Sequence, residues 1–408
     1  MKPTLLGYGK TTRAIAKSLG GGCIFFDDHC TASYTDAEGN TIYPSASFDP
    51  NKSETEILTP SIPPHHPLLK KARNPMSEYD YILGRKFLGT QKPFTIWISG
   101  TNGKTTTTQM LTHLLKERGA VSGGNIGTPL AALDPTAPIW VLESSSFTLH
   151  HTQYASPDIY LLLPITPDHL DWHGSPKSYE ADKLKPLLTM REGELALVPK
   201  GLRLPDTHAW VVEYDSHAFL ESFFDLDSSK LRYKAAFLED ALLALAITRV
   251  LFDEAEYEAL NHFSLDHHRQ EEQIDAFGRL WVNDSKATNI DATIQAIHAY
   301  CDRPVHLILG GDGKGADLTP LMDLVAAEAV TLYVIGSNQH TLIALAKERG
   351  IPTYACHTLA QAIPMIAENL QKDEVALLSP AASSLDQFSS YAERGALFME
   401  MVADLSMT

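Results

Sequence analysis

Short apolar runs that end in loops of small and polar residues recur along the whole chain, and no other feature constrains the fold as much. "PTLLGYG", "CIFFDD" and "SETEILTPS" come first, followed by "FTIWISG", "PIWVLESSS" and "DIYLLLPITPDH". Beyond residue 266 come "LWVNDSKATN", "VHLILGGDGKGAD", "LYVIGSN" and "VALLSPAASSLDQF". Helical patterns separate these runs, so the chain reads as α/β with mainly parallel sheets. In "TTTTQMLTHLLKERG", Met110, Leu111, Leu114 and Leu115 share one helical face and Gly119 is placed to end it. Three sections follow: 1–88, 89–265 and 266–408, with "GRKFLGTQKP" as the linker after the first. In open α/β sheets, ligands gather beyond the carboxyl ends of the strands. The second and third sections both place their unusual polar residues there, so two such crevices facing each other would form an interdomain site.

The run "ISGTNGKTTTTQML" carries the strongest local signal. It has the strand, glycine loop, Lys-Thr and helix of a phosphate-binding loop, but not the G-x-x-x-x-G-K-[ST] spacing. Gly100 stands two residues closer to Gly103-Lys104-Thr105 than that pattern requires. The context still suits phosphate, because backbone N–H groups and a helix N-terminus can cradle its oxygens. Lys104 would add charge at the outer phosphates, and the Thr105 hydroxyl could ligate Mg²⁺.

Other candidates are weaker one by one. Glu143 ends a strand and could hold a metal ion shared with the nucleotide. His169 follows the next strand, with Asp168, Asp171 and His173 beside it. Lys183, in "SYEADKLKPL", reads locally as an ordinary solvated helix lysine. In "NDSKATN", Asp284 could accept from a ribose hydroxyl, while Lys286 and Thr288 could hold anionic groups. Lys314 sits in a glycine loop that a ligand can approach closely, and the planar fork of Arg269 suits phosphate oxygens. Near the N-terminus, Gly7-Tyr8-Gly9 follows a strand, and Asp27 and Asp28 come about twenty residues on, as in a dinucleotide fingerprint. Thr12 stands where its third glycine belongs, so one nucleotide or a nucleotide sugar fits better than a dinucleotide.

Composition narrows the partners. A formal net charge of −17 disfavours nucleic acid or an anionic membrane as a general partner. The four cysteines are scattered, with no C-x-x-C pair, so reduced thiols are expected instead of disulfides or zinc. The first residues, "MKPTLLGYGKTTRAIAK", do not have the pattern of a signal peptide.

Taken together, "GTNGKTT", "GNIGTPL", "ESSSFTL", "PDHLDWHG", "NDSKATN", "LGGDGKGAD" and "LLSPAASSLDQF" resemble the Mur ligase family. The likeness is greatest to the branch that adds D-glutamate. It covers nearly the whole chain and is stronger after residue 90 than before it. It implies three domains: a Rossmann-like domain for the UDP-sugar, a central P-loop-type ATPase domain, and a C-terminal Rossmann-like domain for the amino acid. The implied reaction activates the carboxylate of UDP-N-acetylmuramoyl-L-alanine as an acyl phosphate, using ATP. The amine of D-glutamate then attacks and expels phosphate.

The resemblance also implies roles. Gly100, Thr101, Asn102, Gly103, Lys104, Thr105 and Thr106 would hold ATP, with Arg269 at the γ-phosphate, Asp284 at the ribose, and Lys286. Two Mg²⁺ ions are implied, one at Thr105 and Glu143, the other at His169 and Lys183, the lysine being carbamylated. Gly7, Gly9, Thr11, Thr12, Asp27, Asp28, Asn125 and His169 would face the UDP-sugar. Thr288, Lys314, Ser384 and the backbone near Tyr391 would hold D-glutamate. A cytoplasmic monomer acting on small molecules, in peptidoglycan precursor synthesis, is the expectation. One departure stands out: Phe237 and Asp240 occupy positions where the family has asparagines near the adenine. An aspartate can accept from the adenine amino group but cannot also donate as an amide would.

Overall fold

The computed structural model describes residues 2–84, 92–313 and 315–405, so most of the expected linker, and Lys314, lie outside the described residues. The described chain builds three six-stranded sheets, one for each section read from the sequence. It divides into two compact units: residues 1–231 with 239–263, which hold the first two sheets, and residues 232–238 with 264–408, which hold the third.

In the first sheet the strands lie in the order Tyr34–Thr35, Thr41–Pro44, Ile24–Asp27, Thr4–Leu6, Glu56–Leu58, Pro75–Met76. All pairs are parallel except the first. The second sheet runs Trp210–Tyr214, Leu195–Pro199, Ile159–Leu162, Phe94–Ser99, Ile139–Glu143, Ala120–Gly124, and every pair is parallel. The strands Ile159–Leu162 and Ile139–Glu143 are buried along their whole length, because helices cover both faces of a parallel sheet. The third sheet runs Glu271–Ile274, Leu280–Asn283, Val375–Leu378, Val305–Leu309, Val330–Ile335, Thr353–His357, with only the first pair antiparallel.

The expected strands and the expected helix are all present. That helix spans Lys104–Leu114, and a short 3₁₀ turn at Lys116–Arg118 carries the chain to Gly119, which has φ +76°. The helix Ala235–Phe252 is buried continuously from Asp240 to Thr248, which explains its apolar composition on every face. Among the described residues no helix is long and apolar enough to cross a membrane.

Candidate active site

The phosphate loop lies in the first unit, between the buried strand Phe94–Ser99 and the helix Lys104–Leu114. Gly100 has φ +141°, and a Cβ there would stand 2.5 Å from the Leu163 Cβ. Gly103 has φ +79°, and a Cβ there would stand 2.4 Å from Asp240 Oδ1. Both glycines are therefore required by conformation and by space. Lys104 Nζ donates to the carbonyls of Gly100 (2.9 Å) and Thr101 (2.6 Å), so the lysine folds back over its own loop. Thr106 is buried behind it. Asp240 accepts from Thr107 Oγ1 at 2.9 Å and braces the first turn of this helix.

At the end of the neighbouring strand, Glu143 is only 2% exposed. Its two oxygens are held from two sides: Thr105 Oγ1, in the first turn of the helix Lys104–Leu114, donates to Oε2 at 2.9 Å, and Asn125 Nδ2 donates to Oε1 at 2.7 Å. This carboxylate is thus held beside the first turn of the helix Lys104–Leu114, and it attracts the Lys183 amine electrostatically. Lys183 is 1% exposed, in the helix Pro176–Thr189. Its Nζ donates to Gly100 O at 2.7 Å and lies 4.6 Å from the centre of the Tyr179 ring. Burial pushes this amine well below the usual lysine range, and the Lys104 charge pushes it further the same way. The expectation of a solvated lysine from local sequence alone does not hold. His169 starts the next helix at φ +52°, half-exposed, beside Asp168 (3.6 Å) and the Phe147 ring (4.9 Å).

The donor set suits Mg²⁺ in part. A hydroxyl and a buried carboxylate are hard oxygen ligands. A lysine amine is not, although its carbamate would be. Among the described residues no group of three or more His, Cys, Asp or Glu side chains is placed to hold a metal ion.

Sequence reasoning missed the scaffold around these groups. Asp182, next to Lys183, accepts from Nδ1 of both His150 and His173 at 2.9 Å. His173 Nε2 meets Ser146 Oγ at 3.0 Å. The helices Ser146–His150, Leu170–His173 and Pro176–Thr189, the last of which carries Lys183, are thus tied to one carboxylate. Burial lowers the His173 pKa, although Asp182 opposes the change. Tyr179 OH also pairs with Thr101 Oγ1 at 3.1 Å.

In the first sheet, Gly7 has φ +82°, and Thr12 Oγ1 donates to its carbonyl at 2.6 Å. Thr11 is half-buried in the same first turn. Thr59, not anticipated, fills the space where Cβ atoms of Gly7 and Gly9 would stand. Asp27 accepts from the N–H groups of Tyr8 (2.7 Å) and His29 (2.9 Å). Burial would raise its pKa, but these hydrogen bonds win and hold it below the usual value. Asp28 pairs with His66 at 2.8 Å.

In the second unit, Arg269 lines a cavity of ≈ 550 Å³ together with Arg232, Lys234, Phe237 and Tyr300. Asp284 is buried and accepts from Ser379 Oγ (2.8 Å) and Gln270 N (3.3 Å); burial pushes its pKa up to about 7. Its carboxylate thus ties its loop to the end of the strand Val375–Leu378 and to the chain before Glu271–Ile274. Lys286 Nζ lies 5.5 Å from the centre of the Tyr391 ring, Thr288 N donates to Lys286 O at 2.9 Å, and Ser384 is buried.

Comparison with known proteins identifies the family. The Mur ligase middle domain matches residues 98–201, and the Mur ligase glutamate ligase domain matches residues 268–382. The chain is 48% identical over 405 residues to a UDP-N-acetylmuramoylalanine--D-glutamate ligase of Campylobacter jejuni, covering 98% of this chain and 99% of the relative. It is 45% identical over 420 residues to the protein of the same name in Helicobacter pylori strain J99, again covering 98% and 99%. The solved MurF ligase of Thermotoga maritima in complex with ADP shares the fold, with a TM-score of 0.59, 16% identity, and 93% of this chain and 94% of that one covered. With likeness over nearly its full length and two matching family domains, this chain belongs to the Mur ligase family.

Proposed function

We propose that the chain is an ATP-dependent ligase that joins D-glutamate to UDP-N-acetylmuramoyl-L-alanine, in cytoplasmic peptidoglycan precursor synthesis and as a monomer. The observation that carries the chemistry is Glu143, a buried carboxylate fixed between the phosphate-loop Thr105 and Asn125. The substrates come from the full-length likeness to ligases of that name.

Loop amides and Lys104 hold the β- and γ-phosphates, while Arg269 serves the γ-phosphate. Thr105 and Glu143 would hold one Mg²⁺, and His169 with Lys183 a second. When bound, such ions neutralise charge on a transferring phosphoryl group. Lys183 would serve as its carbamate: the neutral amine attacks CO₂, an N–C bond forms, one C=O π bond becomes the carboxylate, and a proton leaves the nitrogen. Burial favours that reaction because it raises the unprotonated fraction of the amine. Asn125 and the Gly7–Thr12 turn orient the UDP-sugar, and Thr288, Lys314 and Ser384 orient the dicarboxylate amino acid.

An acyl phosphate passes one carboxylate oxygen into the released phosphate. With acceptor labelled by oxygen-18 in its carboxyl group, labelled phosphate is the expected product; unlabelled phosphate would remove this intermediate. Gly103→Ala is expected to lower kcat/KM for ATP by about tenfold or more, since the methyl group meets Asp240 and φ is positive. Unchanged kinetics would contradict the placement of ATP on this loop.

A further inference from the structure

Arg394, in the helix Tyr391–Asp404, is 1% exposed and lies among the largest fully buried side chains of the chain. Its guanidinium spans two loops of the second unit. Nε donates to Ser285 Oγ at 2.9 Å and Nη2 to Ser285 O at 2.8 Å. Nη1 and Nη2 both reach Ala382 O at 3.3 Å. Ser285 Oγ in turn donates to Tyr391 O at 2.8 Å. One side chain thus fastens the loop that carries Lys286 and Thr288, the loop that carries Ser384, and the helix start at Tyr391.

The charge is harder to explain than the hydrogen bonds. Among the described residues no carboxylate forms an ion pair with Arg394. Asp386 acts on it electrostatically, and that carboxylate accepts from Ser337 N. A buried, unpaired cation is costly, and carbonyl dipoles offset it only in part. Desolvation lowers its pKa to about 10, so it remains charged at neutral pH. A neutral donor could tie the same carbonyls without that cost. An anion arriving between these loops would supply the missing compensation.

We infer that Arg394 is a positioning residue for the amino-acid substrate, fastening both loops and Tyr391 together and providing the buried positive charge that an anionic amino acid balances. The inference rests on the reading that these loops hold D-glutamate.

The test uses the full-length enzyme with Arg394→Gln and Arg394→Lys, measuring KM separately for D-glutamate, ATP and UDP-N-acetylmuramoyl-L-alanine, alongside thermal unfolding. Arg394→Gln is expected to raise the KM for D-glutamate by about tenfold or more, with the other two constants moving less than about threefold. Arg394→Lys keeps the charge but loses the planar fork, so it is expected to fall between that variant and the unsubstituted enzyme. A folded Arg394→Gln with an unchanged KM for D-glutamate overturns the inference. So does an equal rise in all three constants, or lowered thermal stability alone. If Arg394→Gln does not fold, Arg394→Lys decides by the same criteria. Thr288→Ala separates the two levels. If it raises the KM for D-glutamate while the Arg394 variants do not, the loop reading stands and only this inference fails. If none of them moves it, the loop reading fails and takes the inference with it.

Discussion

Replacing Lys183 by alanine is expected to reduce kcat by about 10³-fold or more while the protein keeps its fold. The size follows from position. The amine is buried against the Gly100 carbonyl, at the loop proposed to bind phosphate, where a lost charge-stabilising group acts at low dielectric. The fold should survive, because the alanine keeps the helix Pro176–Thr189 and removes a group whose burial as a cation is itself unfavourable. The carbamate adds a readout independent of turnover. Enzyme equilibrated with carbon-13 bicarbonate should give a carbamate resonance that is missing in Lys183→Ala. The pH dependence has a definite sign: a depressed amine pKa enlarges the neutral, CO₂-reactive fraction at any given pH. As pH falls through that value the amine protonates and the carbamate is lost. Activity in CO₂-depleted buffer should therefore fail first on the acid side and return with bicarbonate. A variant with near-normal kcat would refute the role.

Glu143→Ala is the second large effect, with kcat reduced by about 10²–10³-fold. Here the charge matters more than the hydrogen bonds. Glu143→Gln preserves shape and one acceptor, yet it removes the negative charge and turns an amide toward a donor, either Thr105 or Asn125. Both variants should therefore show a weaker dependence on Mg²⁺ concentration at the low end, with higher metal needed for half-maximal rate. Retained activity with unchanged metal dependence would contradict the assignment. The KM for D-glutamate should stay near its normal value, because the contacts proposed for that substrate, Thr288 and Ser384 among them, do not include Glu143.

Much of this architecture was legible because fully buried parallel strands are written as continuous apolar runs. Val305–Leu309 and Ile139–Glu143 are buried at every position. The edge strands were not legible for the same reason. Tyr34–Thr35 is exposed at both residues, Glu271–Ile274 alternates between half-buried and exposed, and Thr353–His357 buries only Cys356. Such segments become strands through a neighbour's hydrogen bonds, which composition does not record.

The site divides in a similar way. Gly100, Gly103, Lys104 and Thr105 were legible because a phosphate loop is local in sequence. Lys183 was read locally as solvated, although one signal was present: Tyr179, Lys183 and Leu187 are spaced i, i+4, i+8 on the buried stripe of their helix. Asp182, His173, Ser146 and His150 carried no such mark, since their network exists only once three helices meet. Arg394 was invisible too, because a lone arginine on a helix is ordinarily solvated. Asp240 was noticed as a departure near the adenine, while the structure sets it against Gly103 and Thr107 as a brace of the phosphate loop.

The most direct test of the account is phosphate release from ATP by the purified protein with UDP-N-acetylmuramoyl-L-alanine and a panel of D- and L-amino acids. Release that requires both the acceptor and D-glutamate, with L-glutamate inactive, is the expected result. Release that ignores the acceptor, or that prefers another amino acid, would contradict it.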